Sequence, residues 1–115
     1  MDTEKRPTLT VVYAAKALKE LDEIWDWNDE RHGSDHADQY IEFLERQIDA
    51  LSSDHRLGKQ IGFRPELSYI LIRRKSKGHG HIAVYGVDET RVNVFHVFHT
   101  AQDWQSKLKE EADQE

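Results

Sequence analysis

The segment LSYILIRRKSKGHGHIAVYGVDETRVNVFHVF, residues 67–98, contains three extended runs separated by two turn signals. The runs are rich in β-branched and aromatic side chains, which favour strands, and they cover residues 67–75, 81–87 and 91–98. The turns, at residues 77–80 and 88–90, contain Gly and Asp, both typical of turns. Because each connection is short, the segment predicts consecutive hairpins and an antiparallel sheet.

Upstream of this segment the sequence predicts one strand and two helices. Residues 8–13 (TLTVVY) form a short β-branched run. Apolar residues then recur at helical spacing in two stripes, with Gly33 expected to end the first helix and Ser34 to cap the second. The stripes are Ala14, Ala17, Leu18, Leu21, Ile24 and Trp25, then Ala37, Tyr40, Ile41, Leu44, Ile48 and Leu51. So short a connection predicts an antiparallel helical hairpin.

The remaining segments complete an α+β fold. Residues 54–65 contain two glycines and one proline without a sustained period, and are interpreted as a connector. Trp104 and Leu108 mark a short C-terminal helix expected to cover the sheet. The order β-α-α-β-β-β-α predicts an N-terminal strand, an antiparallel helical hairpin on a mostly antiparallel four-stranded sheet, and that C-terminal helix. One domain is expected over residues 1–115, frayed at 1–7 and 110–115.

Composition limits the classes of protein to which the chain can belong. The chain has no cysteine, which excludes disulfides and thiolate chemistry. With no apolar run near the ~18 residues of a membrane span and no signal-peptide pattern, we expect a cytoplasmic protein without membrane contacts. The net charge of −6 argues against non-specific nucleic-acid binding. Residues 67–87, however, contain four cations (Arg73, Arg74, Lys75 and Lys77) and no acid, so any polyanion site is expected there.

A series of short patterns follows the predicted elements in order. They are Ala17, Leu21, Glu23 and Ile24; Gly33 and Ala37; Tyr40, Ile41, Leu44, Ile48 and Leu51; Leu57-Gly58; Arg64-Pro65-Glu66-Leu67; Val84-Tyr85-Gly86-Val87; and Val97-Phe98-His99 followed by Gln102-Asp103-Trp104. In order and spacing, over about residues 9–108, they resemble the ParE/RelE superfamily of bacterial toxins from type II toxin–antitoxin systems. The ParE-like, plasmid-stabilisation type is the closer resemblance.

The resemblance implies one of two activities. RelE-like members are ribosome-dependent nucleases that cut mRNA, whereas ParE-like members poison DNA gyrase without being nucleases. RelE-like members place Arg or Lys two or three residues before the middle-strand Tyr, but here Ile82 stands three before Tyr85, and Gln102 replaces an expected Arg. Losing one donor to the transition state costs about 10²–10³ in rate. The ParE-like interpretation, with gyrase as target and no catalytic residue, is therefore favoured.

Two alternatives stay open. One is a RelE-like, metal-independent mRNA interferase that acts on the ribosome through Arg73, Arg74, Lys75, Lys77 and His99. The other is a non-toxic binding or co-repressor member of the family, which the acidic net charge favours. The resemblance further implies a cognate ParD-like antitoxin that threads a C-terminal helix and an extended segment across the toxin, in the apolar groove between the first helix and the sheet. It also implies no cofactor, and contact with DNA only through the antitoxin complex.

Eight side chains are candidates for binding the target or the antitoxin: Trp27, Arg73, Arg74, Lys75, Lys77, His99, Asp103 and Trp104. Trp27 cannot share a helix face with Trp25, and an exposed Trp is a suitable interface anchor. The cations suit a docking surface. His99 is either a general base or, as we prefer, a structural group hydrogen-bonded to Asp103 at the start of the last helix.

Four histidines also raise the question of a metal site. His79 and His81 share one side of a strand and imidazole binds zinc or copper. His96 and His99, however, are three residues apart and should face opposite sides, and neither residues 79–81 nor residues 91–99 contain an acid. We therefore expect no metal, and interpret His79 and His81 as exposed turn residues.

Overall fold

The computed structural model describes residues 8–75 and 79–113, so the candidate residue Lys77 lies outside the described part. The helices are α1 (Ala15–His32), α2 (Ser34–Asp49), α3 (Leu51–Asp54) and α4 (Trp104–Asp113). The strands are β1 (Thr10–Tyr13), β2 (Lys59–Ile61), β3 (Arg64–Ile72), β4 (His81–Val87) and β5 (Arg91–His99). The predicted α+β class is confirmed, including the helical hairpin and the C-terminal helix.

The sheet has five strands in the order β1-β5-β4-β3-β2, so the predicted number of four was wrong. β1 runs parallel to β5, and the other neighbouring pairs are antiparallel. The additional strand, β2, lies in the segment interpreted as a connector, where Lys59 pairs with Tyr69 and Gln60 with Ser68. A strand of three residues with only Ile61 buried is too short to show a period in the sequence.

Gly33 joins the two long helices as predicted. Its φ of 90° is the left-handed conformation that favours glycine, and its N–H donates to the carbonyl of Asp29. The predicted capping role of Ser34 was wrong. Gly33 serves as the flanking residue of both helices, so Ser34 is already the first residue of α2 and makes no side-chain cap hydrogen bond.

The sheet separates two hydrophobic cores. The helical hairpin covers one face, where Ala83 and Tyr85 of β4 belong to the same buried cluster as Leu21, Leu44 and Ile48. α4 covers part of the opposite face, where Ile82 and Val84 lie with Phe98 and Leu108. Successive side chains of β4 therefore point to opposite faces of the sheet, and the strand contributes to both cores. Burying Leu108, which is 2% exposed, contributes about 1.5–3 kcal/mol to holding α4 on the sheet.

The predicted turn at residues 88–90 is held by one carboxylate. Asp88 Oδ1 accepts hydrogen bonds from the N–H groups of Thr90 (2.9 Å) and Arg91 (2.8 Å), and Oδ2 accepts one from the side chain of Asn93. These bonds stabilise the ionised form and lower the pKa of Asp88 to about 2. The turn fixes the β4–β5 hairpin at the end of the sheet away from His99.

None of the helices in residues 8–75 and 79–113 combines the length and apolarity needed to cross a bilayer.

Candidate functional site

A cleft of about 960 Å³ lies between α1 and α4, along the end of β5. Ile24, Val97 and Phe98 supply apolar surface to it, and acidic side chains of both helices line its walls. One end of the cleft is formed by Tyr40 together with His79, His81 and His99. The antitoxin groove that the resemblance implied between the first helix and the sheet stays a prediction, and this cleft is the candidate for it.

His96 connects the two walls of the cleft beneath its surface. The residue is 3% exposed, and its Nδ1 lies 3.1 Å from Glu20 Oε2 of α1 while its Nε2 lies 3.0 Å from Glu111 Oε1 of α4. Carboxylates only accept hydrogen bonds, so both ring nitrogens donate and His96 is an imidazolium. Burial alone would lower the pKa of His96, but the bonds to Glu20 and Glu111 outweigh it and raise the pKa above its ordinary value.

Glu20 and Glu111 each have a further partner. Glu20 Oε1 accepts a hydrogen bond from the Val97 N–H at 2.8 Å, and Glu111 Oε2 accepts one from Lys16 Nζ at 2.7 Å. Charge-assisted hydrogen bonds of this kind are roughly twice as strong as neutral ones. The network therefore ties α1, β5 and α4 into one unit at the floor of the cleft.

Three histidines meet at the end of the sheet. His81 and His99 are cross-strand partners with ring centroids 5.1 Å apart, and the His79 ring lies 5.4 Å from that of His99. The hydroxyl of Tyr40 lies 2.7 Å from His81 Nδ1. Burial, and then the neighbouring His99, lower the pKa of His81 to about 4, so it is neutral at neutral pH. Burial and then His79 also lower the pKa of His99.

The prediction that His81 is an exposed turn residue was wrong, because His81 is the first residue of β4 and is 6% exposed. His79 is exposed as expected. His96 and His99 do face opposite sides of the sheet, with His96 stacked on Phe98. Within the described residues, no group of three or more His, Asp or Glu side chains is arranged to hold a metal ion.

The described cations of the basic segment, Arg73, Arg74 and Lys75, follow β3 and are exposed. The guanidinium of Arg74 lies 5.7 Å from the ring centroid of Tyr40 and 5.5 Å from that of Phe43, which places it on the α2 side. Tyr40 also contacts His81, so the basic segment adjoins the histidine cluster. The structure thus brings Arg74 and His99 to one end of the molecule.

The other candidates are dispersed. Trp27 lies on the cleft wall, 50% exposed, with Arg31 stacked 4.0 Å from its ring centroid. Trp104 packs against Tyr69 in the second core, at 4.9 Å between ring centroids. Asp103 accepts hydrogen bonds from the backbone and hydroxyl of Ser106.

The predicted hydrogen bond between His99 and Asp103 was therefore wrong. His99 Nδ1 accepts from the Ala101 N–H at 2.9 Å, a local turn contact that removes this ring nitrogen from reach of the helix. Asp103 instead caps the start of α4 through Ser106, as an acid at that position favours.

Glu20, Glu111 and Gln102 were not predicted as site residues. Glu20 is 76 positions before His96 in the chain, so no local spacing connects the two. The available signal was His96 itself, a titratable side chain within an otherwise apolar strand, which requires hydrogen-bonding partners when buried. The sequence indicates that such partners exist without indicating which carboxylates they are.

Ile82, which stands where the resemblance places a cation in RelE-like nucleases, lies inside the protein. Its side chain is 5% exposed and belongs to the second core, whereas Tyr85 is fully buried in the first core. These two positions therefore point to opposite faces of β4. An ionised side chain at position 82 would be buried among Val84, Phe98 and Leu108, at a large desolvation cost.

The sequence and the fold are similar to those of known proteins. Residues 11–104 match the model of the family described as the ParE toxin of type II toxin–antitoxin system, parDE. Toxin ParE1 of Mycobacterium tuberculosis, in strains CDC 1551 / Oshkosh and ATCC 25618 / H37Rv, is 33% identical over 89 residues, covering 76% of this chain and 85% of that toxin. A chain of the chromosomal ParDE TA system from P. aeruginosa has the same fold, with a TM-score of 0.67 at 16% identity over 79% of this chain and 95% of that one.

Fold and sequence together define the class as toxins of type II toxin–antitoxin systems. Within that class the chain belongs to the ParE toxin family, which confirms the resemblance noted in the sequence. Membership of a family defined by the parDE pair implies an antitoxin partner.

Proposed function

We propose that this toxin inhibits growth in the cytoplasm by binding DNA gyrase, and that a cognate ParD-like antitoxin neutralises it by occupying the cleft. The observation that carries binding over RNA cleavage is the burial of Ile82. Metal-independent cleavage of RNA needs a base for the 2′-OH, an acid for the leaving oxygen and cations for the phosphorane charge. The middle strand offers no cation at the position where the nucleases of this superfamily have one.

Arg73, Arg74 and Lys75 then serve as a docking surface for the target. They are exposed, they follow one another at the end of β3, and they stand beside the histidine cluster rather than within an enclosed site. The acidic walls of the cleft lie elsewhere, on α1 and α4. Target and antitoxin would thus contact surfaces of opposite charge, and neutralisation would work by steric blocking or by holding the toxin away from its target.

Inducible expression should arrest growth and trigger a DNA-damage response, and co-expression of an antitoxin from an adjacent reading frame should restore growth. Purified toxin should inhibit supercoiling by gyrase without ribosomes present. Arg74→Ala should weaken this inhibition about tenfold or more, because it removes a charged contact. Arg91→Ala, which removes an exposed cation at the opposite end of β5, is the matched control. Harmless expression of soluble, folded protein would refute the proposal.

A RelE-like interferase is the second candidate, favoured by the contact of His79, His81 and His99 beside Arg74. In this arrangement His99 would act as the general base, since His81 is buried. Primer extension on transcripts after induction should then reveal cleavage at codon boundaries that depends on ribosomes and is lost in His99→Ala. Intact transcripts during growth arrest would exclude the interferase and would leave gyrase binding as the remaining candidate.

A further inference from the structure

The outer side of β1 is an open edge of the sheet. β1 is the first strand in the order β1-β5-β4-β3-β2, so it has a neighbouring strand on one side only. The Thr10 N–H donates to a carbonyl beside β5, whereas the Leu9 N–H donates to the carbonyl of Ser52 on the other side at 3.0 Å. Because N–H groups alternate between the two sides of a strand, those of Val11 and Tyr13 point outward. No strand of the described residues pairs with these two N–H groups.

The two edges of the sheet differ in how they are protected. An open strand edge is a template for pairing with another chain, and natural sheets block it with charged side chains and irregular register. The β2 edge has both features, an exposed Lys59 and a register shift between Gln60 and Ile61. β1 keeps a regular register, and residues 8–15 contain no charged side chain in a chain that is 33% charged. β1 is therefore the edge that remains open to another strand.

Val12 places an exposed apolar side chain at the middle of this edge. It is 37% exposed and points away from Val11 and Tyr13, which pack against the core beneath the helical hairpin. An antiparallel β1 of a second copy, centred on Val12, would pair Val11 with Tyr13 twice and Val12 with itself. Val11 and Tyr13 would then form hydrogen-bonded pairs, and the two Val12 residues would form the closer pair, with ~4.5 Å between Cα atoms. The edge is thus complementary to itself.

The charge of the protein also favours a second copy at this edge over contact elsewhere. Each chain has a net charge of −6, so two copies repel one another over most of their surface. Like charges directly opposite each other destabilise a strand pair, and β1 has none to oppose. A pairing of four residues spans only ~13 Å and buries less area than stable interfaces do, so the association is weak and reversible.

We propose that two copies of this chain associate through an antiparallel β1–β1 pair across a two-fold axis, which makes one sheet continuous over both copies. Each of the two Val11–Tyr13 pairs exchanges two backbone hydrogen bonds, and the two Val12 side chains are in contact across the axis. This inference goes beyond the proposed function, because it involves neither the target nor the antitoxin. The exposure of Val12 is then explained by the second copy that covers it.

Sedimentation equilibrium of the purified protein between about 10 µM and 1 mM tests the proposal. We expect a monomer–dimer equilibrium with a dissociation constant of about 0.1 mM, at the weak end for protein interfaces. Val12→Lys removes the apolar contact and places like charges opposite each other, so it should raise the constant about tenfold or more. Leu57→Lys makes the same chemical change at a 72% exposed position before β2 and should stay within about twofold of the unaltered protein. A monomer at 1 mM, or equal effects of the two substitutions, would overturn the proposal.

Hydrogen exchange followed by NMR locates the contact. At a dissociation constant of about 0.1 mM the monomer fraction falls from about 0.85 at 10 µM to about 0.2 at 1 mM. The Val11 and Tyr13 amides should therefore exchange about fourfold more slowly at the higher concentration. The Val12 amide points toward β5 in either state and should show no such dependence. A dimer in which exchange of Val11 and Tyr13 does not depend on concentration uses another surface, and it would refute pairing through β1.

Discussion

At Gly80 the backbone passes so close to the end of β3 that a side chain has no room. A Cβ there would overlap the carbonyl oxygen of Ile72 and would lie 2.8 Å from Cγ of Arg73. Two hydrogen bonds with Thr100 also hold Gly80 in place. The Gly80 N–H donates to the Thr100 hydroxyl oxygen (2.9 Å), and the Thr100 N–H donates to the Gly80 carbonyl (3.0 Å). The glycine in this predicted turn is therefore needed for close packing, and it positions His79 and His81.

Gly80→Ala should lower the free energy of unfolding by about 1–3 kcal/mol, because the backbone of β3 must shift to admit the methyl group. Urea denaturation measures the loss. Gly62→Ala is the control, since a Cβ at Gly62 meets no atom within 4 Å, and it should be neutral or stabilising by a few tenths of a kcal/mol, about the effect of reduced unfolded-state freedom. Equal losses in the two variants would show that the contact with Ile72 is not the cause.

At the scale of elements, the long periodic segments could be predicted and the irregular ones could not. α1, α2, β4 and β5 carry apolar residues at regular spacing over many positions, so their type and approximate bounds follow from the sequence. β2 carries a single buried residue, and nothing local distinguishes it from a loop. The pattern of Trp104 and Leu108 likewise shows that α4 is buried, but the side of the sheet it covers depends on the chain path after β5.

Glu111 fastens α4 to the rest of the molecule through His96 and Lys16, so Glu111→Gln should loosen this helix. Bonds to charged groups contribute about 1.5–3 kcal/mol, and because the Glu111 side chain is 35% exposed we expect a smaller loss of about 1 kcal/mol. The pKa of His96, followed by NMR, should fall because one of its two anionic partners is lost. Hydrogen exchange in α4 should accelerate.

Glu110→Gln is the matched control for α4, since it changes an exposed neighbouring acid. It should leave the pKa of His96 and the exchange rates of α4 unchanged. An unaltered His96 pKa in Glu111→Gln would contradict the geometry of the cleft floor.

For the whole molecule, charge is distributed in a way that the net value of −6 conceals. The basic segment was evident from the sequence because its cations are contiguous. The acidic cleft was not, since its carboxylates come from α1 and α4, which lie far apart in the chain and meet only on folding. For the same reason the family resemblance implied an apolar groove for an antitoxin and did not indicate the acidic walls of the cleft.

The two buried histidines, His81 and His96, make the free energy of unfolding depend on pH in opposite directions. His96 has a raised pKa when folded, so its contribution is fully present below the unfolded value of about 6.5 and is lost as the pH rises through the folded pKa. His81 has a folded pKa of about 4, so its neutral form is favoured, and stability falls as the pH drops from about 6.5 to about 4. The expected loss on the acid side is about 3 kcal/mol for His81 alone.

Urea unfolding between pH 4 and 9 should therefore show greatest stability near pH 6.5, where the His81 contribution is complete and the His96 contribution has not yet been lost. His81→Gln keeps an acceptor for the Tyr40 hydroxyl and should flatten the acid limb only, because Gln does not titrate. His96→Gln should flatten the alkaline limb, because Gln does not titrate. If both limbs persist unchanged in the two variants, other groups control the profile and the charge state assigned to the cleft floor is wrong.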